Sequence, residues 1–352
     1  MPDDGLQTPS PAERSAPARQ AAGACVLVAV PTLNEEKHIE ACLRSLLTGD
    51  DRLADIRIVV ADGGSTDKTC QIVEQLIPEF PGLSLIHNPK RLQSAAVNVV
   101  ARDCAAPGTK YLVRCDAHAV YPQGFIMQVA DALVRTGADS IVVPMDAFGE
   151  TCFQRANAWI VDTPLGSGGS AHRGGRKSGD VDHGHHAGFM LSRFLQIGGY
   201  DETFSHNEDA EYDQRLTHAG GRIFMDADIR LSYAPRATIK SLARQYYNYG
   251  RGRARNLRKH NTRPRLRQLI PVLNLLGLAG SITMAFLLPW MLAYPALYLS
   301  ALAAASVFIA IQRKSICGLL AGLASGVMHT AWATGFLRQF IFGSREQTPR
   351  DR

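Results

Sequence analysis

The chain has 352 residues, a formal net charge of +6 and 46% apolar residues, so one large domain with an appendage is expected rather than a single core. Its charge is uneven: eleven Lys or Arg and no acid fall between Arg236 and Arg267, which leaves the remainder acidic. A nucleic-acid binder would spread basic residues over its folded domain. Here they sit beside a hydrophobic tail, so anionic lipid is the expected partner and nucleic acid is not. The seven cysteines are odd in number, scattered and without a CxxC pair, which predicts reduced thiols in a reducing compartment rather than a disulfide framework or a structural zinc site.

Residues 1–23 are rich in Pro, Ala, Asp and Arg, lack the apolar core of a signal peptide, and read as a disordered tail. Ala24 to Val30 is an uninterrupted apolar run, the pattern of a strand covered on both faces of a parallel sheet. It runs into Pro31-Thr32-Leu33-Asn34-Glu35-Glu36, where Thr32 or Asn34 is expected to cap a helix whose buried stripe is Ile39, Leu43, Leu46 and Leu47. A strand over Ile56 to Ala61, a helix over Lys68 to Ile77, a strand over Leu83 to His87, a helix over Ser94 to Cys104 and a strand from Tyr111 continue the alternation. Such alternation predicts an α/β, doubly wound, Rossmann-like sheet with its site at the carboxyl ends of the strands. The loop after the first strand carries no glycine, so the G-x-G-x-x-G cradle of a dinucleotide fold is absent, and no Walker sequence occurs anywhere. Acidic loops of this kind need a metal to hold a phosphate. Asp116 and His118 follow the Tyr111 strand two residues apart, so they can aim at one spot, and an oxygen with a nitrogen ligand suits Mn²⁺ or Mg²⁺.

Val30-Pro31-Thr32-Leu33-Asn34-Glu35-Glu36, Ala61-Asp62-Gly63-Gly64-Ser65-Thr66-Asp67 and Asp116-Ala117-His118 stand in order at strand ends. Together with Gly198-Gly199-Tyr200-Asp201-Glu202 and Asn207-Glu208-Asp209, they resemble the signature of the family 2 inverting glycosyltransferases, over about Cys25 to Pro235. The resemblance implies a GT-A mixed-sheet domain over residues 24–235 that binds a UDP-sugar. Pro31, Thr32, Glu35 and Asp62 would lie at the nucleotide, with Asp62 accepting from the base and Arg91 covering the uracil or a phosphate. Asp116 and His118 would hold the divalent ion at the pyrophosphate. The family more often has a second Asp at the place of His118; the imidazole here is a better ligand for Mn²⁺ than for Mg²⁺, so Mn²⁺ is expected ahead of Mg²⁺. Asp209 is implied as general base and Glu208 as its neighbour orienting hydroxyls; an acidic, solvated helix start over Glu208, Asp209, Glu211 and Asp213 is the plainer alternative.

The segment Gly166 to His186 is glycine-rich and carries His172, His183, His185 and His186. It reads as a mobile loop over the site from which His185 or His186 would touch a sugar, since no Cys or acid keeps zinc spacing with them. Gln245-Tyr246-Tyr247-Asn248-Tyr249 is similar to the Gln-x-x-Arg-Trp of processive relatives without its Arg and Trp, so chain polymerisation is not expected. Gln245 and Arg251, with Arg253 nearby, are left as acceptor or pyrophosphate contacts, or as an interfacial Tyr and Arg belt.

A basic juxtamembrane segment over residues 236–267 leads to apolar stretches over residues 268–338, read as two or three transmembrane helices near Leu269 to Leu288, Leu292 to Ile311 and Ile316 to Phe336, and to a polar tail over 339–352. The basic segment places the domain in the cytosol at the inner membrane, as a multi-pass protein. Three full spans would then leave Arg338, Arg345, Arg350 and Arg352 outside, against the charge rule, unless one stretch is re-entrant or interfacial. Arg114-Cys115-Asp116-Ala117-His118-Ala119 and Tyr249-Gly250-Arg251-Gly252-Arg253 further resemble bacterial exopolysaccharide glucosyltransferases of the succinoglycan type. That resemblance implies glucose transfer to a lipid-linked saccharide, alongside other polysaccharide-assembly proteins. Transfer of one sugar to polyprenyl phosphate, or a non-catalytic membrane scaffold that binds a nucleotide sugar, are the rival readings.

Overall fold

The computed structural model describes residues 20–168 and 175–343; the expected tail up to residue 19, His172 and the residues after 343 lie outside the described residues. The apolar runs become strands and the amphipathic stretches become helices. β1 (Val26–Thr32), α1 (Ile39–Leu46), β2 (Arg57–Asp62), α2 (Thr69–Leu76), β3 (Leu83–His87), α3 (Gln93–Asp103) and β4 (Tyr111–Arg114) alternate as the pattern requires. Next come α4 (Phe125–Thr136), β5 (Ser140–Val143), β6 (Met145–Ala147), α5 (Cys152–Val161), α6 (Pro164–Ser167), β7 (Gly179–Val181), β8 (His185–Met190), α7 (Leu191–Gln196), α8 (Glu208–His218), β9 (Ile223–Met225) and β10 (Leu231–Tyr233). Four long helices close the described chain: α9 (Ile239–Lys259), α10 (Leu266–Met284), α11 (Ala293–Gln312) and α12 (Ala321–Phe342).

The sheet order is β3-β2-β1-β4-β8-β5-β9-β7. β1 to β4 are parallel, while β8 runs antiparallel to both β4 and β5. The start of β8 therefore lies at the same edge as the carboxyl ends of β1, β2 and β4. Alternate residues bury opposite faces, as the pleat demands. Val26, Val28, Val30, Ile58, Val60 and Val113 meet α1, α2 and α4 on one side. Leu27, Ala29, Val59, Ala61 and Leu112 meet α3, α7 and α8 on the other.

Three local expectations need correction. Neither Thr32 nor Asn34 caps α1: Thr32 is the last residue of β1, and Asn34 adopts φ 56° with its side-chain oxygen accepting from Thr66 N at 2.8 Å. That bond, with Glu35 N to Thr69 Oγ1 at 2.8 Å, ties the β1 loop to the β2 loop, so the chain travels further before helix geometry begins at Ile39. His185 and His186 are in strand β8 rather than a mobile loop. Cys152 and Cys317, 165 residues apart, form a disulfide of 2.07 Å, while Cys25, Cys42, Cys70, Cys104 and Cys115 are free. The spacing could not show this pair, because α5 and the turn before α12 meet only in the folded chain.

Among the described residues, three helices are long and apolar enough to cross a membrane, and the buried share of their apolar windows rises from 6% through 17% to 44% along the chain. The most buried, α12, extends into the expected polar tail and packs along α9. Two glycines allow the close approach. A Cβ on Gly250 would lie 2.0 Å from the Trp332 carbonyl oxygen, and one on Gly335 would lie 2.0 Å from that of Tyr247. The far end of α9 is tied to α8 through Glu211, which is fully buried and accepts from Arg215 Nη2 at 2.7 Å, Lys259 Nζ at 2.6 Å and His260 Nε2 at 3.0 Å. Burial alone would raise its pKa, but Arg215 and Lys259 hold it below the usual carboxylate range.

Gly250→Ala or Gly335→Ala should cost about 1–3 kcal/mol through overpacking, read as earlier heat inactivation in detergent. Gly280→Ala, where a Cβ would meet nothing within 4 Å, should cost nothing; equal losses at all three sites would contradict the close helix contact. The depressed Glu211 pKa contributes stability that is present in full above its unfolded value of about 4.3 and is lost as pH falls through the lower folded value. Glu211→Gln protein, already lacking this contribution, should therefore show a shallower loss of stability on acidification than the parent.

Candidate active site

Four strand ends and one helix start converge at the carboxyl edge of the parallel strands, where an open α/β sheet presents its crevice. Asp62 ends β2 and is 5% exposed. Its carboxylate accepts from Gly64 N at 2.8 Å, Ser65 N at 2.9 Å and Ser65 Oγ at 2.5 Å, in a turn that needs φ 86° at Gly64. Burial opposes ionisation there, but these hydrogen bonds hold the pKa below the ordinary value, so Asp62 remains an acceptor. Pro31 and Thr32 lie in register with Ala61 and Asp62 on β1, with Thr32 buried. The turn carrying exposed Arg91 packs against the same loop: a Cβ on Gly63 would stand 3.3 Å from Arg91 Cα, and Asn88 N donates to the Asp62 carbonyl at 2.7 Å.

Asp116 lies two residues past β4. Gln93 Nε2 donates to its Oδ1 at 2.6 Å and Arg114 Nε approaches the same oxygen at 3.4 Å. Burial would raise its pKa, but the charge of Arg114, with His185 and His118, holds it low. His118 Nδ1 stands 3.2 Å from Glu35 Oε1, a contact that raises the imidazole pKa against the cost of burial. The β1-loop residue and the β4-loop residue thus meet across the crevice. His185, at the start of β8, has Nε2 4.0 Å from Asp116 Oδ2, and burial lowers its pKa to about 4.

Glu208 and Asp209 open α8 beside this group. Arg114 Nη1 lies 3.6 Å from Glu208 Oε1. Burial and the neighbouring Asp209 charge push Glu208 up to about 7, whereas His183, His186 and Arg114 hold Asp209 below the ordinary carboxylate value against its own burial. The two adjacent acids are therefore driven apart, one toward protonation and one held ionised, which is the separation a base with a neutral partner requires. One turn along α8, Asp213 accepts from His186 Nε2 at 2.6 Å and contacts His183 Nδ1 at 2.7 Å. His186 Nδ1 meets the Tyr200 hydroxyl at 2.7 Å, and that hydroxyl accepts from Arg114 Nη1 at 3.1 Å.

Asp62, Asp116, His118, His185, Glu208 and Asp209 are thus grouped at one edge, with Glu35 joined to His118. His186 is buried at 1% exposure beneath the group and presents no surface to a sugar. Gln245 donates to the Tyr233 and Tyr249 hydroxyls, and Arg251 lies beside Ser205, His206 and Asn248. From α9 it is Arg253 that feels the charges of Asp209 and Asp213. Arg114, Tyr200, Asp213 and Gln93 were given no role from sequence. Arg114 precedes Asp116 by two and Asp213 follows Asp209 by four, spacings that put each on its partner's side of a strand or helix.

Among the described residues no set of three His, Cys, Asp or Glu is arranged to hold an ion. Asp116 and His118 offer one ionised oxygen and one nitrogen, without thiolate. That pair suits Mn²⁺ or Mg²⁺ only as part of an open sphere completed by other oxygens.

The sequence matches the family model described as Glycosyl transferase family 2 over residues 27–196. It is 43% identical to the succinoglycan biosynthesis protein ExoA of Rhizobium meliloti over 316 residues, covering 90% of this chain and 94% of that protein. It is 27% identical to a dolichyl N-acetyl-alpha-D-glucosaminyl phosphate 3-beta-D-2,3-diacetamido-2,3-dideoxy-beta-D-glucuronosyltransferase of Methanococcus voltae, covering 66% of this chain and 74% of that protein. The fold is similar to that of the mannosyltransferase PcManGT from Pyrobaculum calidifontis, solved with GDP-Man and Mn²⁺. The TM-score is 0.56 at 19% identity, covering 94% of this chain and 92% of that one. With a relative this similar over nearly its whole length, a matching family model and a GT-A sheet beneath the acidic edge, the chain belongs to glycosyl transferase family 2 and is a glycosyltransferase.

Proposed function

We propose that this enzyme transfers a sugar, with glucose the first candidate, from a UDP-sugar to a lipid-linked saccharide at the cytosolic face of the inner membrane, in exopolysaccharide assembly. The observation that carries the reading is the meeting of Asp116 with Glu208 and Asp209 around Arg114 at the carboxyl edge of the sheet. The similarity to ExoA supports the pathway, and the dolichyl-linked wording of the second relative supports an acceptor that is already a lipid-linked sugar. A groove of about 440 Å³ between α9 and α12, lined by Ile239, Ala243, Arg244, Tyr247, Val327 and Ala331, supports a lipid tail carrying an anionic head. Arg236, just before α9, is close enough for its charge to lower the His118 pKa.

In this reading Glu35, Asp62 and Arg91 position the nucleotide, and Asp62 accepts from the base. Asp116 and His118 hold a divalent ion, Mn²⁺ ahead of Mg²⁺, which when bound neutralises charge on the departing diphosphate. Asp209 takes the proton of the acceptor hydroxyl as that oxygen bonds to the anomeric carbon. The bond from that carbon to the phosphate oxygen breaks with its electron pair leaving on UDP, and the configuration inverts. Glu208, pushed up to about 7, is partly protonated at neutrality and in that form donates to a sugar hydroxyl. Arg114 holds both carboxylates in place, and Arg253 balances the charge on Asp209.

Membranes containing the full chain, offered labelled UDP-sugars with and without Mn²⁺, should yield a labelled glycolipid when a lipid-linked sugar is supplied. Labelling only with bare polyprenyl phosphate would give the acceptor to the single-sugar reading instead. Asp209→Asn should keep UDP binding and lose about 10²–10⁴-fold in turnover; undiminished turnover would remove Asp209 as the base. EDTA should abolish transfer and added Mn²⁺ restore it, with Asp116→Asn requiring more Mn²⁺ than the parent; transfer indifferent to EDTA would contradict the ion at Asp116 and His118.

A further inference from the structure

We infer that α12 does not cross the bilayer. It lies in the plane of the membrane surface beside α9, so that the apolar hairpin α10–α11 alone enters the lipid and both ends of the chain face the same side. The inference rests on where the ends of the helices are tied. α11 ends with Arg313 over the Trp159 ring at 5.8 Å, and Trp159 belongs to α5 of the catalytic domain. The turn that follows lies against that same helix, with the Cα atoms of Cys317 and Cys152 5.0 Å apart. Within the first turns of α12, Ser325 Oγ donates to the Leu165 carbonyl of α6 at 3.1 Å and His329 Nε2 approaches the same oxygen at 2.7 Å. At the other end, Arg258 of α9 donates to the Gln339 carbonyl at 3.1 Å and also caps the Gly343 carbonyl. Both ends of α12 are therefore held by parts of the catalytic domain or by α9, which a helix leaving that domain across a bilayer cannot achieve.

The middle of α12 gives the same answer through its partner. Leu242 of α9 packs with Met328, Gly250 with Trp332 and Phe336, and Arg258 with the last turn, so the two helices run parallel for about 24 Å. α9 carries Lys240, Arg244, Arg251, Arg253, Arg255, Arg258 and Lys259 and no acid. If α12 spanned hydrocarbon, this whole set would span with it, at a cost no lipid-facing helix bears. On its other side α9 is fastened to the domain: Arg255 Nη2 donates to Thr203 Oγ1 at 2.6 Å, and Asn256 Nδ2 to the Ala210 carbonyl at 3.3 Å. The order outward is thus domain, α9, α12, lipid. By contrast, residues 268–312 contain no charged side chain, and Phe286, Leu287 and Trp290 at the hairpin tip are 90%, 77% and 68% exposed. That tip is the part built for hydrocarbon. The surface offered to the headgroups is the rim of α9 and α12, whose arginines fit anionic lipid.

Two measurements on the full chain in native membranes or reconstituted vesicles test this. Epitope tags at the two termini should be reached by antibody together, either both before or both only after permeabilisation; one tag accessible while the other is not would overturn the proposal. Nitroxides attached after Leu323→Cys or Phe340→Cys report depth at two exposed positions near the ends of α12, with the signal of the unsubstituted parent subtracted. The proposal expects equal depths within about one helical turn, 5 Å, whereas a spanning helix would separate them by about 25 Å.

Discussion

A buried guanidinium organises this molecule. Arg114 is 7% exposed, and a charge so placed must be paired and hydrogen-bonded to be tolerated. Its partners come from three separate parts of the chain: Asp116 after β4, the Tyr200 hydroxyl in the loop after α7, and Glu208 at the start of α8. Tyr200 passes the contact to His186, and His186 to Asp213, so the first two turns of α8 are held from below. Without that cation, Asp116, Glu208, Asp209 and Asp213 would crowd one edge with little to offset their repulsion. Asp209 and Glu208, although neighbours in sequence, take opposite protonation tendencies because burial and the Asp209 charge raise Glu208 while His183 and His186, with Arg114, hold Asp209 low.

The antiparallel strand β8 makes this possible. A purely parallel sheet would place the start of that strand at the opposite edge, far from Asp116; reversal brings His185 and His186 to the carboxyl ends of β1, β2 and β4. α9 then closes the site from the membrane side. Its approach brings Arg236 toward His118 and Arg253 toward Asp209, while its other face meets α12. One helix therefore links the reacting edge to the apolar C-terminal helices.

Much of this was legible in the sequence because it is local. Uninterrupted apolar runs marked β1 and β2, and the alternation with amphipathic helices marked the sheet. Asp62, Asp116 and Asp209 stood out because each follows a strand or opens a helix within a recognisable run of residues. What escaped was long-range. Arg114 looked like one more residue of a strand until Tyr200 and Glu208 met it, and the Cys152–Cys317 bond joins positions 165 residues apart. His185 and His186 sat in a glycine-rich stretch that reads as loop, but pairing with Val143 and Val142 of β5 draws them into the sheet. The last apolar segment has the composition of a membrane span, and nothing in its own residues shows that it packs along α9, a helix rich in arginine.

The central claim is a direct, single displacement at the anomeric carbon, with Asp209 drawing the proton from the acceptor. The stereochemistry of the product tests it most directly. Glycolipid made by the full chain from an α-linked UDP-sugar should carry a β-linkage, seen as the anomeric proton coupling in its NMR spectrum. An α-linked product would contradict the displacement and the role given to Asp209 together.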